Sequence, residues 1–253
     1  MIYAVGDIHG HYDKLRAAHA LIEADMAAHD TKATVIHVGD LCDRGPDTSK
    51  VIEYLMEGIG SGRDWLVLKG NHDQMLLDFV DGGDETNPKL KSGMTWLHTV
   101  MGGKATLASY GLKKSLLESK EAFVRRVRSA IPDEHLSFLR NLPVWLRADG
   151  MIFVHAGIRP GFPIEAQEES DLLWIRDEFL WHLGDHEAVI VHGHTPVDEP
   201  THYGNRVNID TGAGWGQPLV PVVFDDGCCY ALHENGRVKL SIPKHRPKPV
   251  LRR

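Results

Sequence analysis

Ile2-Tyr3-Ala4-Val5-Gly6-Asp7-Ile8-His9-Gly10 opens the chain: four residues suited to a buried strand, a glycine, then side chains that bind metals or protons. Strand-like runs that end in such side chains beside or near a glycine return four times. Ala33 to Val38 runs into Gly39-Asp40, and Trp65 to Leu68 into Gly70-Asn71-His72. Met151 to Val154 runs into His155-Ala156-Gly157, and Ala188 to Val191 into His192-Gly193-His194. Short runs rich in Val, Ile and Leu read as buried strands. Between the first three lie helical segments, one with Leu15, Ala18, Ile22 and Met26 on a single face, the other with Val51, Ile52, Leu55, Met56 and Ile59. Strand alternating with helix predicts right-handed crossovers in a largely parallel α/β sheet. Its ligands then sit beyond the carboxyl ends of the strands, where these polar residues stand.

Two regions break the rhythm. Residues 81–129 mix loop signals (Asp81-Gly82-Gly83-Asp84, Asn87-Pro88, Gly102-Gly103) with helical segments such as Glu121 to Ala130, and read as a helical insert over one edge. From Arg206 on, short β-like runs follow one another (Val207 to Ile209, Leu219 to Phe224, Cys228 to Leu232, Val238 to Ile242), which predicts antiparallel strands closing a second sheet. The expected organisation is one domain over residues 1–243 and a basic tail over residues 244–253.

Bulk properties narrow the class. With 253 residues the chain can bury a real core, and its 42% hydrophobic and 25% charged composition is that of a soluble globular protein. A formal net charge of -7 argues against a protein held on nucleic acid by bulk electrostatics. Three cysteines, Cys42, Cys228 and Cys229, make no disulfide framework and fit a reduced compartment. No charged leader precedes the first strand and no run approaches a membrane span, so a cytoplasmic location is expected.

A single aspartate after a strand is usually a turn former or a helix cap, and a single buried histidine is usually satisfied by the core. The set Asp7, His9, Asp40, Asn71, His72, His155, His192 and His194 is harder to explain that way, because caps would draw Ser and Thr as often. These types form a mixed nitrogen and oxygen site for divalent metals, and the imidazoles favour Mn, Fe or Zn over Mg alone. Without a thiolate cluster a structural zinc site is not indicated. Two metals sharing a carboxylate polarise a phosphoryl group and activate a water.

The motifs GDIHG (Gly6–Gly10), GDLCDRG (Gly39–Gly45), GNHDQM (Gly70–Met75), HAG (His155–Gly157), LLWIRDEF (Leu172–Phe179), GHTP (Gly193–Pro196) and NIDTGA (Asn208–Ala213) span most of the chain. Their content and order resemble the calcineurin-like metallophosphoesterase superfamily, and within it the bacterial and phage branch of the phosphoprotein phosphatase family. The resemblance implies an α/β fold of two mixed sheets flanked by helices, with two divalent metal ions, Mn foremost, at the strand ends between them. It implies that Asp7, His9 and Asp40 hold the first metal, and that Asp40 bridges to a second completed by Asn71, His155 and His194. It further implies that Arg44 and Arg176 grip the phosphate, that His72 held by Asp43 protonates the leaving oxygen, and that a metal-bound hydroxide attacks directly. His192 is expected to be a hydrogen-bonded neighbour of the ligands, since Pro196 stands where related enzymes carry a second histidine ligand. Cys42 is expected to be a small buried residue.

The implied activity is hydrolysis of phosphoserine and phosphothreonine, or of small phosphate esters, with neither nucleic acid nor membrane as partner. The GNHD and HAG variants resemble symmetrical dinucleoside tetraphosphatases, which are the alternative. Asp43, GHTP and the short stretch between His155 and His192 favour the phosphatase. That stretch also carries Glu165, Glu168, Glu169, Asp171, Asp177, Glu178, Asp185 and Glu187, which would repel a polyphosphate if they lined the cleft, whereas Arg125, Arg126 and Arg128 would attract one if they faced it. A non-catalytic metal-binding module is a remoter alternative, because it needs neither an acid nor a phosphate clamp.

Overall fold

A computed structural model describes residues 1–115 and 117–242; the basic tail at 244–253 lies outside the described residues. Strand β1 (Ile2–Val5) leads into α1 (Tyr12–Ala28), β2 (Thr34–His37) into α2 (Thr48–Gly60), and β3 (Trp65–Val67) into α3 (Asn71–Gly82). Helices α4 (Gly103–Ser109), α5 (Lys120–Ala130) and α6 (Asp133–Asn141) follow before the chain returns to strand. The second half holds β4 (Trp145–Ala148), β5 (Met151–Val154), the short helices α7 (Glu169–Trp174) and α8 (Asp177–Leu180), β6 (Val189–His192), β7 (Thr201–His202) and β8 (Arg206–Asn208). It ends on β9 (Val222–Asp225), β10 (Cys228–His233) and β11 (Gly236–Lys239).

Two mixed sheets result. One has the order β11-β10-β9-β1-β2-β3, with β1, β2 and β3 parallel and β9 to β11 antiparallel. The other has the order β4-β5-β6-β8-β7, parallel through β5, β6 and β8 and antiparallel at both edges. The C-terminal runs therefore correct one expectation. Only β8 joins the second sheet, while β9, β10 and β11 extend the first beside β1. Period-two alternation explains why the strand runs are almost wholly apolar. Ile2 and Ala4 face Val191, Val207 and Phe153 in the layer between the sheets, whereas Tyr3 and Val5 pack with Leu15, Ile22 and Leu55 of α1 and α2. Ile152 and Ile190 turn outward onto Leu172 and Phe179 of α7 and α8. Both faces of each sheet are covered, so the strand ends are where polar side chains can collect. No helix among the described residues is long and apolar enough to cross a membrane.

Candidate metal centre and phosphate site

The loops after β1 and β2 clasp each other through their backbones: Ile8 and His9 donate N–H to the Asp40 carbonyl at 3.1 and 2.8 Å, and Gly45 donates to the His9 carbonyl at 2.9 Å. Asp73, in the first turn of α3, locks the same loop, accepting from the backbone N–H groups of Leu41, Cys42 and Gly70 at 3.0, 3.2 and 2.9 Å. The clasp forces unusual backbone. Of the eight non-glycine residues with left-handed φ among the described residues, five are His9 (48°), Asp40 (51°), Asp43 (75°), Arg44 (65°) and His194 (64°). Each costs of order 1–3 kcal/mol and survives because the surroundings fix it, a pattern typical of functional sites. The glycines at the strand ends have a steric reason. A Cβ on Gly70 would lie 2.2 Å from Asp40 Oδ1, and one on Gly193 would lie 2.1 Å from Asp7 Oδ1.

The structure brings Asp7, His9, Asp40, Asn71, His72, His155 and His194 together in one buried cluster. Ligand atoms of His9, Asp40 and His72 lie within 4.8 Å of one another, and so do those of Asp40, His155 and His194, so Asp40 belongs to both groups. Its carboxylate oxygens lie 3.4 Å from His9 Nε2 and 3.4 Å from His155 Nε2. Asp7 is tied to the same centre: its oxygens accept from His194 N–H at 3.1 Å, and Oδ2 lies 3.9 Å from His9 Nε2.

Hydrogen-bond accounting shows that these residues fit divalent ions. His9 Nδ1 donates to the Cys42 carbonyl at 2.8 Å and His155 Nδ1 to the Val38 carbonyl at 2.9 Å. A carbonyl only accepts, so both rings turn the lone pair of Nε2 into the cluster. There His155 Nε2 meets Asn71 Oδ1 at 2.9 Å, and His194 Nε2 is buried with no hydrogen-bond partner among the described residues. The charges tell the same story. Burial pushes Asp40 up to about 7 and Asp210 up to about 6, and it pushes Asp7 well above the usual carboxylate range, with Asp210 and Asp40 adding repulsion. Acceptors and carboxylates packed this closely call for cations, which would reverse those shifts.

Beside this cluster, His72 Nδ1 donates to Asp43 Oδ2 at 2.6 Å. Asp43 is fully buried and also accepts from Trp96 Nε1 at 2.8 Å and Thr106 Oγ1 at 2.7 Å. Burial and then the Arg44 charge push His72 well below 6.5, so its imidazole is neutral and Nε2 accepts from Arg44 at 3.0 Å. Arg44 also reaches His9 Nε2, and its guanidinium carbon lies 4.5 Å from the Trp215 ring centroid. Arg176 approaches from the other sheet. It makes only long contacts, 3.4 Å to Thr195 Oγ1 and 3.4 Å to the His194 carbonyl.

His192 lies outside both ligand groups. It is buried, with Nδ1 on the Gly193 carbonyl at 3.0 Å and Nε2 accepting from Arg206 at 3.2 Å. Cys42 is fully buried, and burial raises its thiol pKa well above normal. Several of the acidic residues in the 165–187 stretch have local partners: Glu165 and Glu187 pair with Arg147, and Asp171 with Arg159. Arg126 and Arg128 are likewise exposed and paired with Glu118 and Asp81. Sequence reasoning missed Asp73 and Asp210, although both stand in the quoted motifs. It also missed Trp96, Thr106 and Trp215, for which no local signal exists.

The model of the calcineurin-like phosphoesterase family matches residues 1–240. The chain is a calcineurin-like phosphoesterase. Curated relatives include bis(5'-nucleosyl)-tetraphosphatases PrpE [asymmetrical]: that of Bacillus mycoides is 26% identical across 96% of this chain and 97% of its own length, and that of Anoxybacillus flavithermus 26% identical across 89% and 91%. Among solved structures, a protein provisionally named a diadenosine tetraphosphatase superposes with a TM-score of 0.60, at 22% identity over 95% of this chain and 93% of that one. A cold-active protein-tyrosine phosphatase from a Shewanella species gives 0.58, at 14% identity over 95% and 80%. These likenesses show a shared fold. As a calcineurin-like phosphoesterase the chain is a metal-dependent hydrolase, and its buried donor set suits the family's pair of divalent ions.

Proposed function

We propose that this phosphoesterase hydrolyses phosphate monoesters whose leaving group is a poor one, such as the alkoxides of phosphoserine and phosphothreonine. The observation that supports this reading most is the braced pair His72–Asp43. A buried carboxylate with two further donors, one indole and one hydroxyl, is an elaborate way to orient a single imidazole. An alkoxide cannot leave without a proton, whereas a nucleotide leaving from an anhydride can. In this reading Asp7, His9 and Asp40 hold one metal, and Asp40, Asn71, His155 and His194 the other. Mn is the best candidate, with Fe or Zn as alternatives. The ions, when bound, supply Lewis acidity and an activated water.

Arg44 grips the phosphate, and Arg176 assists from a looser position. An incoming phosphate dianion would draw Arg44 away from His72 and favour the imidazolium, formed by uptake of a proton from solvent onto Nε2, which then passes that proton to the leaving oxygen. Asp43 keeps that nitrogen aimed. The free thiols of Cys42, Cys228 and Cys229 support a cytoplasmic setting.

The names of the relatives favour a second reading, hydrolysis of dinucleoside tetraphosphates. Specificity constants for a phosphothreonine peptide and for diadenosine tetraphosphate, measured with the same Mn-loaded enzyme, decide between them. The peptide is expected to be the better substrate. Faster conversion of the dinucleotide would install the second reading, and product analysis would then show whether cleavage is symmetrical or unequal.

A further inference from the structure

Trp215 leaves 48% of its surface in solvent, yet the turn that carries it is held by hydrogen bonds. The turn Ala213–Trp215 is closed by Gly212 and Gly216, both left-handed at φ 79° and 90°. Lys14 Nζ donates to the Ala213 carbonyl at 2.8 Å and the Gln217 carbonyl at 2.7 Å, tying both ends of the turn to α1. The turn also lies hard against the site, since a Cβ on Gly214 would come within 2.6 Å of His9 Cδ2 and 2.9 Å of Arg44 Cδ. Part of the indole is covered by the Arg44 guanidinium, and the rest is open.

An exposed aromatic ring costs solvation, and holding it still costs entropy. Both costs are already met here before any ligand arrives, which is how a preorganised contact surface is built. We propose that Trp215 is a stacking platform for an aromatic ring carried on the organic side of the phosphate. This rests on the reading that Arg44 clamps that phosphate. The open part of the indole adjoins Arg44, within reach of a group carried on a phosphate held there. Stacking of a base on an aromatic side chain is worth about 1–3 kcal/mol, or roughly 5-fold and upward in affinity. The ring can be an aryl group or a nucleobase, and the two share this chemistry.

Inhibition constants against nitrophenyl phosphate, with Mn present, test the assignment using two matched pairs: benzylphosphonate with propylphosphonate, and adenosine 5'-phosphate with ribose 5-phosphate. Trp215→Ala is expected to weaken the aromatic member of at least one pair by roughly 5-fold or more. The aliphatic members should stay within about 2-fold, and Trp215→Phe should recover most of the loss. Loss confined to benzylphosphonate identifies an aryl platform, and loss confined to the nucleotide a nucleobase platform. If all four ligands weaken together, Trp215 merely props Arg44 and the proposal is overturned, as it is if none weakens. Arg44→Ala should weaken all four. If it changes none, the clamp itself is wrong, and the platform falls with it.

Discussion

Two groups of buried histidines lie near the end of β2, and they differ in how their lone pairs are used. In the first, His37 Nδ1 donates to the Leu66 carbonyl at 3.0 Å, so His37 Nε2 accepts from His19 Nε2 at 2.9 Å, and His19 Nδ1 accepts from the Tyr54 hydroxyl at 3.0 Å. Every ring nitrogen has a complementary partner, and Trp65 packs on His19 with ring centroids 4.4 Å apart. In the second, His9 and His155 spend Nδ1 on carbonyls; His9 Nε2 is reached by Arg44, His155 Nε2 faces the Asn71 amide oxygen, and His194 Nε2 has no hydrogen-bond partner among the described residues. Burial alone does not set the second group apart as candidate ligands. What marks it is an acceptor surplus that a cation would resolve.

The largest effect expected from that contrast is at Asp40. Asp40→Asn should lower turnover by more than about 10³-fold and deplete bound metal, because both ligand groups share it. Loss of Asp7 or His194 should be milder, and His37→Gln should leave turnover within a few-fold. Metal analysis alongside rates checks this; an Asp40→Asn enzyme with both metals and near-normal turnover would refute the shared-ligand reading.

Next comes His72→Asn, which should retain metal and lose about 10²–10³-fold on a phosphothreonine peptide, but far less on nitrophenyl phosphate. Equal losses on the two substrates would remove His72 from the acid's role. Trp96→Phe keeps the ring that packs on Phe79 but deletes a donor to Asp43. About a tenfold loss on the peptide is expected, again smaller on the nitrophenyl ester. The same experiment sets Trp96 apart from an ordinary core residue, which would change stability and leave the substrate ratio alone.

Smaller effects separate the two histidine groups by stability. Mn at 100 times its dissociation constant should stabilise the protein by about 2.7 kcal/mol. That gain should be unchanged in His37→Gln and reduced in His194→Asn, read as shifts in melting temperature. The last contrast is a pH slope. Burial holds His19 down at about 2 and His37 at about 4, against 6.5 in the unfolded chain. Below 6.5 the unfolded state therefore takes up protons that the folded state refuses. The stability these rings contribute is complete above that pH and is lost as pH falls from 6.5 toward 4, by about 1.4 kcal/mol per unit for each ring. In chelated protein, replacing both with leucine should flatten the fall in melting temperature between about pH 6.5 and 5. An unchanged slope would mean that these rings do not titrate differently in the two states.

Much of the site is legible in the chain because its encoding is local. A buried strand, a glycine and then a polar residue places that residue at a strand's carboxyl end wherever it occurs: Asp7, Asp40, Asn71 and His194 follow that grammar, and His155 follows its strand directly, two residues before a glycine. Family motifs then suggest partners for them. The strand runs near the C-terminus are legible for the same reason, as local alternation, but their sheet is not. β9, β10 and β11 could satisfy their apolar faces against either sheet, and the choice falls to β1, whose free edge pairs with β9.

The bracing of His72 through Asp43 is the clearest case of what tertiary structure alone decides. Trp96 and Thr106 lie 53 and 63 residues beyond Asp43, in a region that reads as an insert, and neither obeys a spacing rule. Their roles arise because α4, packed against α2, brings the Thr106 hydroxyl onto one buried carboxylate, and the loop before α4 brings the Trp96 indole N–H onto the same group. Asp210 stands in a motif visible in the sequence, but its closeness to Asp7 and Asp40 depends on two sheets meeting face to face. Which residues can bind a metal is a property of side chains and their neighbours in sequence. Which lone pairs are left over once the chain has folded is a property of every contact at once, and here only the packed sheets determine it.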